Sequence, residues 1–553
     1  MIPTLCNVVL ALASVPQNPP PAAVEMVSLQ HLLRTPASPL RVPTSTMLLR
    51  DGQVDQVGAG NGPTQDAVVA ALAAMHGEAI QAGRLRWEVG AGNLLLAGEA
   101  AEIDAVRKSV RRLEETLVRT MQLEFVVWDA TDRGTPATTL DETAFGEFSR
   151  GRTALLRMVG SVNPQQTADL QLVRAQSYVR DVDVEVASKS SISDPVVDVF
   201  RDGAIASVRA IPLAGSDEFV LLGMFAAAER RGIPRTVQPG HSSAPDIEVP
   251  TLDSCMGTFS GRLASGSALA MTLRGHPALG GQVVLTVRLL AKDRPAVDAK
   301  ASFAVLPCQA LLDDSLLRVD AIEQLDGTTK QVQAPSAGRL PEPLLLDLCR
   351  AAIGEGQGTM WSLGGHLVVQ GDAAAQGRVR SLLRDLENRM LRTVSVTSTG
   401  LLPSTVEPAP TSGPTPNLLF EVSAPCLTGR ELRLARVVET TAITDIEVEI
   451  AQEASMTNPI VDLLQSGSWL SASVAPAGSG MHLDLQLRCL QAAQPLARSI
   501  MPNGVWTPTD VNGSVLRHQG AIGNAAVLEH GDGPLVPIDG RSWRSSLQTI
   551  VRW

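Results

Sequence analysis

Apolar positions recur with a period that changes along the chain. Val106, Val110, Leu113 and Leu117 step by four, three and four residues, the spacing of one apolar stripe on an α-helix. Just before them, Leu94-Leu-Leu-Ala-Gly98 is a short continuous apolar run of the kind a buried strand needs, entered through a turn at Gly92. An alternating strand leads into Trp87, and a further helix is expected near residues 65–76. Other runs are different in kind. Residues 123–127, 182–186, 220–224 and 283–290 are short, rich in β-branched residues, and bounded by Gly, Pro, Ser and Asp. In Val182-Asp-Val-Glu-Val186 apolar and acidic residues alternate, which predicts a sheet with one wet face. The pattern predicts an α+β chain: a small βαββα-like module followed by a β-rich one.

The pattern is then written a second time. Leu94 to Gly98 returns as Leu367-Val-Val-Gln-Gly371 at an offset of 273 residues. At that offset the helical stripe maps onto Val379, Leu383, Leu386 and Met390, and Arg119-Thr120 recurs as Arg392-Thr393. Trp87 and Gly92 correspond to Trp361 and Gly365 with a one-residue difference in length. Further on, Asp181-Val-Asp-Val-Glu-Val186 reappears as Asp445-Ile-Glu-Val-Glu-Ile450 at an offset of 264. Asp194-Pro195-Val-Val-Asp198 with Gly203 matches Asn458-Pro459-Ile-Val-Asp462 with Gly467 at the same spacing. A repeat of about 270 residues, used twice, is the simplest account.

The predicted organisation has six parts. Residues 1–22 form a leader and Pro-rich linker, 23–120 the first α/β module, and 121–305 the first β-rich module. Residues 312–393 form the second α/β module, 394–416 a Pro/Thr/Ser linker, and 417–553 the second β-rich module; another linker is expected at 131–139. The run Ile-Pro-Thr-Leu-Cys-Asn-Val-Val-Leu-Ala-Leu-Ala-Ser-Val at residues 2–15 has the length of a signal-peptide core, although no Lys or Arg precedes it. Export is therefore expected, with a buried first element as the other reading.

The segment Trp87 to Glu114, a strand, small-residue turn, strand and helix, resembles the α/β modules of secretins, the bacterial type II and type III secretion-system protein family. Met121-Gln-Leu-Glu-Phe-Val-Val-Trp-Asp129 looks like the strand that opens the secretin β-domain. Residues 194–212 and 458–476 look like a family strand pair that runs through a glycine to a proline. The resemblance implies two tandem secretin-like units in one chain and a non-catalytic exported envelope protein. It also implies a location in the periplasm or at the outer membrane, action through protein partners, and homo-oligomer formation. The family's gate signature is replaced by a shorter look-alike, Val249-Pro250-Thr-Leu252 with Gly257 and Phe259. The alternative reading is a channel subunit of the outer membrane.

Composition narrows the choice further. Aromatic residues are 3% of the chain, with a single Tyr, too few for the girdles of a lipid-facing barrel, so membrane insertion is not expected. A net charge of -11 argues against nucleic acid as a partner. The six cysteines form no C-x-x-C pair. The eight histidines include no pair at i, i+4, so neither metal nor cofactor is expected; His482 and Cys489 share one strand region, yet core or surface roles outweigh a metal there. No phosphate loop, dinucleotide fingerprint or nucleophile elbow occurs, and no small-molecule substrate is implied. Asp183 and Glu185, repeated as Glu447 and Glu449, point to one strand face, where solvent is a better explanation than acid–base chemistry. Gly203 and Gly467 are expected in turns. The one candidate interaction face is basic: Lys108, Arg111 and Arg112 on the first striped helix, with Arg380 and Arg384 on the second, a solvated face being the plainer reading.

Overall fold

The computed structural model describes residues 23–30, 32–33, 40–41, 63–90, 92–118, 120–130, 136–164, 166–187, 190–214, 216–232, 235–237, 247–275, 283–291, 302–312, 317–318, 322–323, 329–330, 340–401, 418–451, 454–477, 480–492, 511–522, 526–538 and 541–552. The predicted leader, most of the 131–139 linker and the 402–416 part of the second linker lie outside them.

The first α/β module runs β1 (Ala23–Ser28), α1 (Gln65–Met75), a five-residue helix Gly77–Gln81, β2 (Leu85–Gly90), β3 (Asn93–Gly98) and α2 (Ala100–Leu117). Its antiparallel sheet runs β1-β3-β2. Thr64 caps α1 by accepting the Ala67 N–H at 3.2 Å. Val106, Val110 and Leu113 of α2 are buried against Leu94 and Leu96 of β3, each burial contributing about 1.5–3 kcal/mol.

Next in the chain come β4 (Met121–Asp129), β5 (Ala154–Val162), β6 (Thr167–Ala187), β7 (Ser190–Pro212), β8 (Glu218–Arg230), β9 (Thr251–Ala264), β10 (Ala268–Gly275) and β11 (Val283–Ala291). The second half brings β12 (Phe303–Pro307), α3 (Glu342–Ile353), β13 (Gly358–Leu363), β14 (His366–Gly371) and α4 (Ala373–Met390). It ends with β15 (Thr393–Leu401), β16 (Leu418–Leu427), β17 (Glu431–Ala451), β18 (Ala454–Ala477), β19 (Gly480–Ala492), β20 (Val511–Ile522), β21 (Ala526–Ile538) and β22 (Arg541–Arg552). The sheet β12-β14-β13 has the strand arrangement of β1-β3-β2.

The long strands form two sheets. One runs β20-β19-β18-β17-β9-β8-β7-β6; the other runs β21-β22-β15-β16-β10-β11-β4-β5, with a short Thr139–Leu140 strand beside β10. They face each other across one apolar core holding Phe125, Phe219, Phe225, Phe259, Leu285, Val396, Leu434 and Leu485, contributed by both sheets and both halves of the chain. The helix Glu142–Ser149 covers the outer side of the second sheet, where Phe145 and Phe148 stand edge-on to Trp128.

Several sequence expectations change. The β runs are not short: β6 and β7 have 21 and 23 residues, β17 and β18 have 21 and 24. Residues 194–212 and 458–476 are each part of one strand, not a strand pair, because their neighbours in sequence supply the ladder partner. Gly203 and Gly467 lie inside those strands rather than in turns. They hold positive φ there, and a Cβ would meet the Leu172 or Arg436 carbonyl oxygen at 2.1 Å. The boundary at 305 falls inside β12, which pairs with β14 and so opens the second small sheet. Residues 394–401, assigned to a linker, continue β15 between β16 and β22. Nor are the two β-rich parts separate modules: β9 pairs with β17 and β10 with β16, joining them edge to edge.

Trp87 and Trp361 are not equivalent. Trp87 stands opposite Leu96 on the helix-covered face of its sheet, whereas Trp361 stands opposite Val368 on the other face of its own. In a strand, one residue of misalignment exchanges the two faces.

Candidate interaction surfaces

The basic face divides once the side chains are placed. On α2, Lys108 sits 3.8 Å from Asp104, and Arg111 donates to Glu115 Oε1 at 3.2 Å, both well exposed. Such i,i+4 pairs contribute a few tenths of a kcal/mol each, about 0.3–0.5. Arg112 is different. It is half-buried, with its guanidinium 5.2 Å from the ring centroid of Phe303 in the second half. It therefore serves the contact between the two α/β modules and is not part of a solvated face. Arg380 and Arg384 stand one turn apart on α4, and burial first, then the Arg384 charge, lower the Arg380 pKa. The structure thus assigns the five residues to two helices and at least two roles.

That module contact is apolar. Phe303, Leu363 and Val368, with Trp361 and Val305 beside them, lie on the outer face of β12-β14-β13 and join the core of the first module. Helix α1 lies against β13. On the opposite face of the same sheet, Leu306, Leu367 and Val369 pack with Leu345, Cys349 and Leu383 of α3 and α4, and that layer rests on Val220, Leu222 and Met224 of β8. Glu387 of α4 accepts the Ala214 N–H at 2.7 Å, locking the helix to the segment after β7.

The β seam is closed by hydroxyls as well as by backbone pairing. Ser254 Oγ donates to Glu439 Oε2 at 3.2 Å, and Thr258 Oγ donates to the Glu431 carbonyl while accepting the Arg433 N–H. Ser260 Oγ accepts the Leu427 N–H at 2.8 Å. Across β10 and β16, Arg274 faces Glu421 at 3.5 Å with both side chains largely buried. The outer edges of the two sheets are β6 with β20 and β5 with β21. On β6 and β5, Leu172, Val173, Leu155 and Val159 are exposed, an unusual display of aliphatic side chains on edge strands.

Reactive chemistry is sparse. Among the described residues no group of three or more His, Cys, Asp or Glu side chains is placed to hold a metal ion. His482 and Cys489 share β19, seven residues apart along the strand. His76 Nε2 lies 3.0 Å from Ser109 Oγ, and burial lowers its pKa, with Glu102 opposing. Ser109 in turn donates to the Ala105 carbonyl, as buried helix serines do. Burial raises the thiol pKa of Cys255 and Cys308, that of Cys349 to about 11, and that of Cys426 to about 12, the opposite of an activated nucleophile. Among the described residues, no helix is long and apolar enough to cross a membrane. The alternating acidic positions Asp183, Glu185, Glu447 and Glu449 lie toward the far ends of the long hairpins, the ends beyond Gly203 and Gly467.

The sequence pointed to the basic helices and missed the edge strands and the outer face of β1-β3-β2. The signal present was the aliphatic content of residues 155–159 and 172–173, which is indistinguishable from core until the sheet order is known.

No family model and no curated protein matches the chain. Among solved structures, the secretin-domain β-barrel of InvG from the Salmonella SPI-1 injectisome is 13% identical with a TM-score of 0.24, covering 50% of this chain and 90% of that one. The V. cholerae type IV competence pilus secretin PilQ is 10% identical with a TM-score of 0.20, covering 52% and 81%. A chain of the Klebsiella pneumoniae type II secretion system outer-membrane complex of PulD, PulS and PulC is 10% identical with a TM-score of 0.20, covering 98% and 75%. Likeness at this level carries no functional argument; the surfaces of the chain itself have to.

Proposed function

We propose that this chain is a tandemly duplicated, secretin-like envelope protein that works without catalysis, by assembling with other protein chains. The observation that carries the reading is the sheet order. Each large sheet divides into two four-strand blocks of identical connectivity, β9-β8-β7-β6 beside β20-β19-β18-β17 and β10-β11-β4-β5 beside β21-β22-β15-β16. Ladder irregularities support it as well. A shift at Val179/Asp181 in β6 recurs at Ile443/Asp445 in β17, and one at Val127/Trp128 in β4 recurs at Gly400/Leu401 in β15. Blocks that already join edge to edge within one chain are built for strand-to-strand association. Static light scattering on the purified protein tests the function: assemblies growing with concentration are expected, and a strict monomer at every concentration would refute it.

The alternative, a channel subunit of the outer membrane, is favoured by one feature. The β6/β7 and β17/β18 hairpins continue past the ends of their neighbours by about the 9–11 residues a membrane-crossing strand requires. In the distal part of β6, Val182, Val184 and Val186 alternate with Asp181, Asp183 and Glu185. Heat-resistant multimers in the membrane fraction are the outcome that reading requires.

A further inference from the structure

The contact between the two halves has two parts, and among the described residues the matching surfaces at the two edges of the repeated array have no strand paired to them. In the large sheet, Val173, Gly203, Ala228, Ser254, Val437, Gly467, Leu490 and Gly513 stand opposite one another in turn, one row crossing all eight strands. The row repeats after four strands: Val437 follows Ser254 as Val173 begins the series. Its last member, Gly513, occupies on β20 the place that Ser254 holds on β9. Val437, inside the seam, is 2% exposed; Val173, on the free edge, is 37% exposed, and Leu172 beside it 54%.

The α/β modules repeat the situation. Val24 stands opposite Ala97 as Phe303 stands opposite Gln370, and Ala97 and Gln370 are related by the 273-residue offset, so Val24 and Phe303 hold the same register position. Phe303 is covered by the first module, whereas Val24 and Met26 are 60% and 61% exposed. On the helical side, aligning buried Val68 and Leu72 of α1 with buried Leu345 and Cys349 of α3 places Ala67 and Ala71 at the positions of Leu344 and Leu348. Helix α1 lies on β13 within the chain; Leu344 and Leu348 are exposed. Both halves of the missing contact are therefore apolar and uncovered.

We propose that copies of this chain join head to tail, with the junction between chains repeating the junction within one. This rests on the assembly reading above and names its partner, a second copy. The edge of β20 pairs with β6 of the next copy so that Gly513 faces Val173, Ser514 faces Leu172 and Arg517 faces Asp169, the last an opposite-charge pair. Leu344 and Leu348 of one copy seat on the sheet face carrying Val24 and Met26 of the other. The contact is heterologous, so it propagates until the accumulated rotation closes a ring or leaves a filament.

The test uses the full chain. Val173→Cys combined with Gly513→Cys should give a ladder of disulfide-linked multimers on non-reducing gels, and Val173→Cys with Gln519→Cys, off register by six residues, ~10-fold less. Leu344→Glu with Leu348→Glu, and separately Val24→Glu with Met26→Glu, should raise the concentration for half-assembly at least ~10-fold, with melting unchanged. Assembly that forms normally in both glutamate pairs and yields no register-specific cross-link would overturn the repeated junction while leaving assembly intact. A wild-type chain that stays monomeric would overturn the assembly reading itself.

Discussion

A Cβ placed on Gly203 or Gly467 would stand 2.1 Å from the carbonyl oxygen of the neighbouring strand, and the left-handed backbone there already excludes most side chains. Both conditions act together, so Gly203→Ala or Gly467→Ala should cost at least about 2 kcal/mol, seen as a lowered denaturation midpoint. Either variant melting like the wild type would mean that the ladder relaxes locally. The α2 residues separate in the same way by what they touch. Leu113 is fully buried, so Leu113→Asp places a charge in the first module's core and should unfold that module. Arg111 pairs, among the described residues, with exposed Glu115, and Arg111→Ala should change stability by no more than about 0.5 kcal/mol. Arg112→Ala should cost more, about 1 kcal/mol, because it removes a half-buried cation from the Phe303 ring. Equal effects of the two arginine variants would remove the role assigned to Arg112.

Helix α1 ends at His76, and the His76–Ser109 contact joins that end to α2. Burial holds the imidazole pKa below its ordinary 6.5, so the fold favours the neutral ring. Below that value the unfolded chain binds more protons than the folded one. The contribution is therefore complete above 6.5 and declines as pH falls toward the folded pKa. Urea midpoints measured between about pH 7.5 and about pH 5.5 should fall, and His76→Gln should flatten that slope. The striped helices were legible in the sequence because a helix announces its buried face within a few turns of itself. The strand runs were legible for the same local reason. Their lengths were not, since a strand continues for as long as a neighbour pairs with it, and neighbours such as β9 and β17 are remote in sequence. Trp87 and Trp361 show the cost of one residue: aligned by chemical type, they exchange faces of the sheet. The basic residues of the candidate face were visible by charge, but only the placement of Phe303, nearly 200 residues away, distinguishes Arg112 from Arg111.

The halves of the molecule are held by a crossed arrangement. The second α/β module rests on β8 of the first half, while β17 and β16 of the second half extend sheets begun by the first. Separating the halves would therefore break two strand seams and uncover an apolar layer together, which makes them one cooperative body in spite of their repeated plan. Glu387 lies at the junction of these contacts. Its carboxylate is 1% exposed and accepts the Ala214 N–H at 2.7 Å, from a segment whose own apolar residues, Leu213 and Ala214, are buried in the same layer. Glu387→Ala leaves that amide buried without this acceptor, a loss of about 1–3 kcal/mol. Glu387→Gln keeps an acceptor oxygen and should recover much of it. Hydrogen exchange separates this from a helix effect: the Ala214 amide should exchange faster in Glu387→Ala, whereas the central amides of α4 keep their protection. Loss of protection throughout α4 with Ala214 unchanged would place the contribution of Glu387 inside its own helix, and the contact between module and sheet would then rest on the apolar layer alone.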